Sequence, residues 1–222
     1  FSNISLVSFR NNLTFTIGED TQAYTAERTL KPFSINKFET TYFLWYQVRM
    51  WGEKNGYVFG NPGQEGSSGL RGKAPTEANR FQPVTNINWY DAVVWCNAYS
   101  EFMDLKPCYT YKGQIIRNST DTTSCDLCEC DFESNGFRLP TETEWEYAAR
   151  INGKKMQDAS IPSGQTDSLT EEDVAWIYSN AKGTHIVGTA GTPFTEDALP
   201  AVASGNANGA GLFDMSGNVL EF

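Results

Sequence analysis

The sequence predicts a single α+β domain with two main helices, short antiparallel strands and long loops. Two apolar stripes at helical spacing, a few short alternating β segments, and Gly-, Asn-, Ser- and Thr-rich stretches between them carry that prediction. A chain of 222 residues is long enough for one large domain with a sizeable core. No internal repeat or linker divides it, so residues 1–222 are expected to form one domain.

The elements follow in order. Leu13, Phe15 and Ile17 alternate with Thr14 and Thr16 before Gly18, the pattern of a half-buried strand. Phe33 and Ile35 repeat the alternation between Lys31 and Phe38. Glu39-Thr40-Thr41 then introduces a helix from Tyr42 to Trp51, with a threonine cap at its start and Gly52 to end it. Residues 52–82 are rich in Gly, Asn, Pro and Ser and read as a long irregular surface loop, a length that often marks function.

Asn88 is placed to cap the second helix, with Asp91 at its positive end. Trp89, Ala92, Val93, Cys96, Tyr99 and Met103 recur on one face as a core stripe. Residues 104–136 read as irregular again. The sharpest local signal follows, from Asn135 to Arg150. Thr141 and Glu144 are spaced as a capping box, Trp145, Ala148 and Ala149 face inward, and Asn152-Gly153 closes the helix. Glu142, Glu144 and Glu146 are accounted for by capping and the helix dipole rather than by catalysis. Beyond residue 153 only short β-like pieces are expected, until Val219 to Phe222, which reads as a core strand.

Composition excludes several functions. The net charge of −10 argues against nucleic acid, because phosphate binding needs clustered Lys and Arg. No apolar stretch approaches the ~18 residues of a membrane span. His185 is the only histidine, so neither a two-histidine metal centre nor an HExxH helix can be built. It lies in the β-branched run Thr184-His185-Ile186-Val187, where a strand position without a chemical partner is expected. Trp45, Trp51, Tyr57 and Phe59 border the long loop, as core filler or as part of a binding surface. Asn3, Asn12 and Asn118 open Asn-x-Ser/Thr triplets, which matter only in a glycosylating host. No signal peptide precedes Phe1, so any address is expected to come from elsewhere.

Five cysteines suit an oxidising compartment, and the odd number leaves at least one unpaired in a monomer. Cys96 on the helical stripe reads as a small buried apolar residue, with a disulfide as the second choice. Cys108, Cys125, Cys128 and Cys130 offer four sulfurs, but their spacing is not that of a standard zinc knuckle. Two disulfides that clip an irregular insertion are the expectation, with the pairings open.

These landmarks resemble the formylglycine-generating-enzyme (sulfatase-modifying factor) family, in order and over nearly the whole chain. Glu39-Thr40-Thr41 stands for the family's Glu-Val-Thr, and Pro83-Val84-Thr85-Asn86-Ile87-Asn88-Trp89-Tyr90-Asp91-Ala92 for its Pro-Val-x-x-Val-Ser-Trp-x-Asp-Ala. Asn135-Gly136-Phe137-Arg138-Leu139-Pro140-Thr141-Glu142, running on to Arg150, matches its most specific motif. Gly211 to Phe222 matches its Gly-Leu-Tyr-Asp-Met-x-Gly-Asn-Val-Trp-Glu-Trp, with Leu220 and Phe222 in place of the tryptophans. The resemblance implies the C-type lectin fold in the formylglycine-enzyme variety.

The same resemblance implies where chemistry would sit. The family's copper-binding cysteine pair lies downstream of the closing motif, so no copper and no oxidase activity are expected of these residues, and the protein is expected to continue past Phe222. Cys96 holds a position used by some members for a disulfide with a downstream partner, and a second family disulfide begins at the position of Ala149. Calcium is the expected metal, with side-chain oxygens from Asp214 and Glu221 and backbone carbonyls from Gly217 and Val219. Without calcium, Asp214 would cap its turn and Glu221 would pair with a cation. A second family calcium site would use Asn180, with no matching aspartate downstream. The long cysteine-bearing insertion and altered closing motif look most like the treponemal variable proteins of diversity-generating retroelements. The expectation is therefore a non-catalytic binding scaffold on the bacterial outer surface or in the periplasm. It would take a protein or glycan ligand through a face C-terminal to Phe222, with a lipid anchor outside this chain. The alternatives are a formylglycine-generating copper oxidase seen without its cysteines and a calcium-dependent lectin-like module.

Overall fold

The computed structural model describes residues 4–18, 25–192 and 201–222. Phe1 and Asn3 lie outside them. The order begins β1 (Leu6–Phe9), β2 (Leu13–Ile17), β3 (Ala26–Leu30), β4 (Phe33–Asn36), α1 (Tyr42–Lys54), β5 (Gln64–Glu65) and β6 (Val84–Thr85). It continues α2 (Trp89–Phe102), β7 (Tyr109–Tyr111), β8 (Gln114–Ile115), α3 (Thr122–Asp126) and β9 (Glu129–Cys130). The last elements are α4 (Glu142–Arg150), β10 (Ile151–Asn152), β11 (Lys155–Met156) and α5 (Glu171–Val174). All named strands pair antiparallel. Two compact units result: residues 1–40, 81–83 and 140–220 form one, and residues 41–80, 84–139 and 221–222 the other.

In the first unit β1 pairs with β4 and β2 with β3. The alternation read from the sequence places Phe15 and Phe33 inward, where they meet Leu30 and Tyr147 in one core cluster. Tyr147 on α4 takes the edges of Phe9 and Phe15 at centroid distances of 5.3 and 5.2 Å. Such pairs add ~0.5–1.5 kcal/mol beyond burial. The capping box of α4 forms as expected: Glu144 N–H donates to Thr141 Oγ1, and Thr141 N–H to the Glu144 carboxylate at 2.8 Å. Ala148 and Ala149 are buried against Leu212 and Met215, with Trp145 half-buried beside them. Glu146 pairs with Arg150 and accepts the Gly18 N–H at 2.8 Å, which keeps it structural.

The second unit is built on α1 and α2, whose aromatic residues stack in series. Trp45 lies flat on Trp95 (5.6 Å, 7°), Trp95 on Tyr99 (5.1 Å), and Tyr99 on Phe137 (4.3 Å). Trp45 and Tyr57 are 1% and 2% exposed, which removes them from any contact surface. Cys96 is buried as read, whereas Met103 is 39% exposed at the helix end and leaves the core stripe. Burial of α2 extends beyond one face, to Val94, Trp95, Asn97 and Ser100.

Several expected boundaries move. Gly52 lies within α1 rather than ending it; a Cβ there would press on Tyr57 and Phe59 at 3.2 and 3.3 Å, so close packing explains the glycine. Asn152-Gly153 makes the β10–β11 turn, because Ile151 leaves α4 directly in extended conformation. The 104–136 stretch carries β7, β8, α3 and β9, since Asn97 of α2 donates to the carbonyls of Tyr109 and Ile116 and fixes that backbone. Val219 to Phe222 forms no strand, and Leu220 is fully exposed.

Candidate functional site

The closing motif of the first unit is rich in left-handed backbone. Gly211, Asp214, Gly217 and Asn218 all take positive φ (82°, 55°, 83° and 56°). Glycine adopts that region freely, and Asp and Asn reach it more readily than other side chains, which explains the motif's composition. Asp214 is buried, and its Oδ2 accepts the Gly188 N–H at 2.5 Å. Asn218 works from both ends of its amide. Its Oδ1 accepts the His185 N–H at 2.9 Å, while its Nδ2 donates to Glu39 Oε2 at 2.6 Å and the His185 carbonyl at 3.3 Å. Glu39 and Gly217-Asn218, remote in sequence, thus meet through one amide.

Loop residues 176–191 line the same place. Gly217 pairs with Trp176, and the Trp176 indole N–H donates to Thr189 Oγ1 at 3.1 Å. His185 is outside any strand and stacks on the Trp176 ring (3.9 Å, 16°), so it does have a partner. Burial lowers the His185 pKa below its ordinary value, because the charged imidazolium is poorly solvated there.

The metal-ligand candidates fall unevenly. Asp214 and Gly217 take left-handed backbone, and Val219 follows the left-handed Asn218. The Gly217 carbonyl already accepts the Val219 N–H at 2.7 Å, and one Asp214 oxygen is engaged by Gly188. Glu221 is exposed. Asn180 is a turn lock: it accepts from the Ile177 N–H and donates to the Glu172 and Ala175 carbonyls. At the position of Ala149, its carbonyl is held by Ser163 Oγ at 2.6 Å and by Asn208 Nδ2 at 3.4 Å.

The second unit holds the cysteines, all five as free thiols. Cys96, Cys108 and Cys125 are buried, and Cys128 and Cys130 half-buried. Burial is the first cause that raises each thiol pKa, to about 11 for Cys125 and Cys130. Thiolate is therefore scarce at neutral pH. Among the described residues, no group of three or more His, Cys, Asp or Glu side chains gathers as a metal site.

Two carboxylates whose reach the sequence reading did not foresee organise the long loop of this unit. Asp91 is fully buried and accepts from Asn61 N–H and Nδ2, Asn88 N–H and Ser119 Oγ. Glu65, 5% exposed, accepts from the Thr76 N–H and hydroxyl at 2.7 and 2.8 Å. Asp91 was visible as a cap; Glu65 carried no signal, lying in a Gly-Gln-Glu-Gly stretch that reads as exposed loop.

This fold and these motifs define a sulfatase-modifying-factor type of domain. Residues 9–222 match the family model of the sulfatase-modifying factor enzyme 1-like domain, and the chain belongs to that family. Its fold is the C-type lectin fold in the formylglycine-enzyme variety. A curated relative, the chaperone protein LppX of Paenibacillus barcinonensis, is 33% identical over 201 residues, which cover 87% of this chain. The match spans 62% of that relative's length. Among solved structures, CarF superposes with a TM-score of 0.72 at 28% identity, covering 98% of this chain and 78% of CarF. Treponema denticola variable protein 1 superposes at 0.68 and 26% identity, covering 97% of this chain and 70% of its own.

Proposed function

We propose that the chain is a non-catalytic ligand-binding scaffold of the bacterial cell envelope, displayed on the outer surface or in the periplasm. The observation that supports it most is the likeness over nearly the full chain to a treponemal variable protein. The closing motif agrees: Asp214 and Asn218 are engaged with Gly188, His185 and Glu39, the work of a framework that holds loops in place. The name of the Paenibacillus relative, a chaperone, favours a protein ligand over a glycan. Among the described residues no helix is long and apolar enough to cross a membrane, which fits attachment through a lipid outside these residues. Calcium at Asp214, Gly217, Val219 and Glu221 belongs to the same reading as a structural ion, and copper does not.

The family's name makes the oxidase reading the one to test against. The full-length protein, loaded with copper and supplied with oxygen and a cysteine-bearing sulfatase peptide, is expected to leave the cysteine intact by mass spectrometry. Conversion of that cysteine to an aldehyde overturns the proposal. A membrane-impermeant amine label is expected to reach the protein on intact cells if it sits on the outer surface, or once the outer membrane is permeabilised if it sits in the periplasm. Labelling only after lysis would overturn the envelope location. Retroelement diversification predicts that closely related strains carry substitutions clustered in one segment of this gene and nowhere else in it. For calcium, titration of chelator-treated protein should raise the melting temperature, and Asp214→Asn should abolish the rise.

A further inference from the structure

Residues 121–128 bring two thiols onto one turn. Asp121 caps α3 and accepts from the Ser124 N–H at 3.1 Å and its hydroxyl at 2.6 Å. The helix then tightens: the Cys128 N–H donates to the Cys125 carbonyl at 3.2 Å, an i to i+3 bond. A turn closed by such a bond holds the two Cα atoms within ~7 Å of each other, the separation that a disulfide spans. Cys125 is fully buried, and its thiol donates to the Asn118 carbonyl at 3.8 Å. Cys128 is half-buried and open to a reagent. After burial, Cys128 is the leading electrostatic influence on Cys125. Cys130 answers first to Cys108, with Cys128 behind it.

We propose that Cys125 and Cys128 form a reversible dithiol–disulfide site that exchanges with low-molecular-weight disulfides, while Cys96, Cys108 and Cys130 remain thiols. The Cys128 thiolate attacks one sulfur of the reagent and releases the first thiolate. The Cys125 thiolate then attacks Cys128 Sγ in the mixed disulfide and releases the second. The protein pair gives up two electrons and two protons, and the reagent disulfide becomes two thiols. Because both thiols titrate above their ordinary values, oxidation is slow at neutral pH and quickens as pH rises. Closure of this ring withdraws the Cys125 donor from Asn118, whose own amide oxygen holds the Thr120 N–H and hydroxyl. The site thus reports redox state to the backbone that carries Ser119.

The test starts from the fully reduced full-length protein, incubated with oxidised glutathione or oxidised dithiothreitol between about pH 7 and pH 9. Acid quenching, alkylation and tryptic digestion follow. Two of the five thiols should be lost, with a two-hydrogen mass loss confined to the peptide from Asn118 to Arg138. Cys130→Ser should keep that loss and Cys128→Ser should remove it, with near-ultraviolet circular dichroism confirming that both variants fold. Loss of the link in Cys130→Ser, a link to Cys108 or Cys96, or five thiols surviving saturating oxidant would each overturn the assignment.

Discussion

Two long irregular stretches of this protein are held by opposite kinds of side chain. In the second unit, residues 55–80 and 84–88 are organised by carboxylates, Glu65 and Asp91, on which donors from several turns converge. The 157–218 stretch of the first unit is organised by carboxamides. Asn208 donates to the Ala148 carbonyl at 2.9 Å while it accepts from the Ala210 and Leu212 N–H groups, and Asn218 behaves likewise toward His185 and Glu39. A carboxylate only accepts, so it gathers N–H and O–H groups around one centre; an amide donates and accepts, so it staples two passing segments together. Among the described residues of the two stretches, irregular backbone is therefore held in place, but the two should fail differently when altered.

The largest effect is expected at Asp91. Asp91→Ala strands several buried donors at once and should cost ~4 kcal/mol of stability by urea denaturation. Asp91→Asn, which keeps one acceptor oxygen, should cost clearly less. A loss under ~1 kcal/mol for Asp91→Ala would mean that the anion does not organise the loop. Next comes Asn208→Ala, at ~2–3 kcal/mol, or a fall of several degrees in Tm. The sharper variant is Asn208→Asp, which should be at least as harmful as alanine because the donor to α4 is gone. If aspartate is tolerated there, the distinction between the two stretches collapses.

Thr141→Ala removes one arm of the α4 capping box and should cost ~1 kcal/mol, largely restored by Thr141→Ser. The smallest effect is a pH slope. The folded protein holds His185 below its ordinary value of 6.5, so the unfolded chain binds the proton more readily. Stability contributed by the neutral ring is complete above pH 6.5 and declines as pH falls through that value toward the lower folded one. His185→Gln should flatten the acid side of a stability–pH curve and leave the neutral side unchanged in slope. An unaltered acid slope would show that burial does not disfavour the charged ring.

The helices were legible because their signals are local: caps at Asn88 and Thr141, and apolar residues at helical spacing. The capping threonine of α1 was legible too, but its end was not, since Gly52 serves a neighbour's packing rather than a helix stop. The family motifs located the closing turns, and the positive φ values account for their Gly, Asp and Asn. What the sequence did not reveal were bonds between distant residues, such as Asn218 to Glu39, Asp91 to Asn61 and Asn97 to Tyr109. No periodicity encodes such a pairing, because each depends on how loops of unrelated composition come to face each other. His185 illustrates the cost: its β-branched neighbours suggested a strand, while the ring was placed by Trp176.

The entrance and exit of the 106–135 excursion are tied in a single knot. Lys106 N–H donates to Asn135 Oδ1 at 3.0 Å, Ser134 Oγ to the Lys106 carbonyl at 2.6 Å, and Phe137 N–H to Ser100 Oγ at 2.8 Å. Gly136 has no room for a side chain because the Lys106 carbonyl and Ser100 Oγ press on it. With those ends tied down and β7 fixed by Asn97, the outer arc at the exposed Lys112-Gly113 turn can change in length at a cost that grows only logarithmically, ~0.6 kcal/mol per doubling. Evolution can therefore treat that outer arc as interchangeable cargo, and a protein engineer can do the same by splicing a foreign peptide there, while the helix beneath keeps its place.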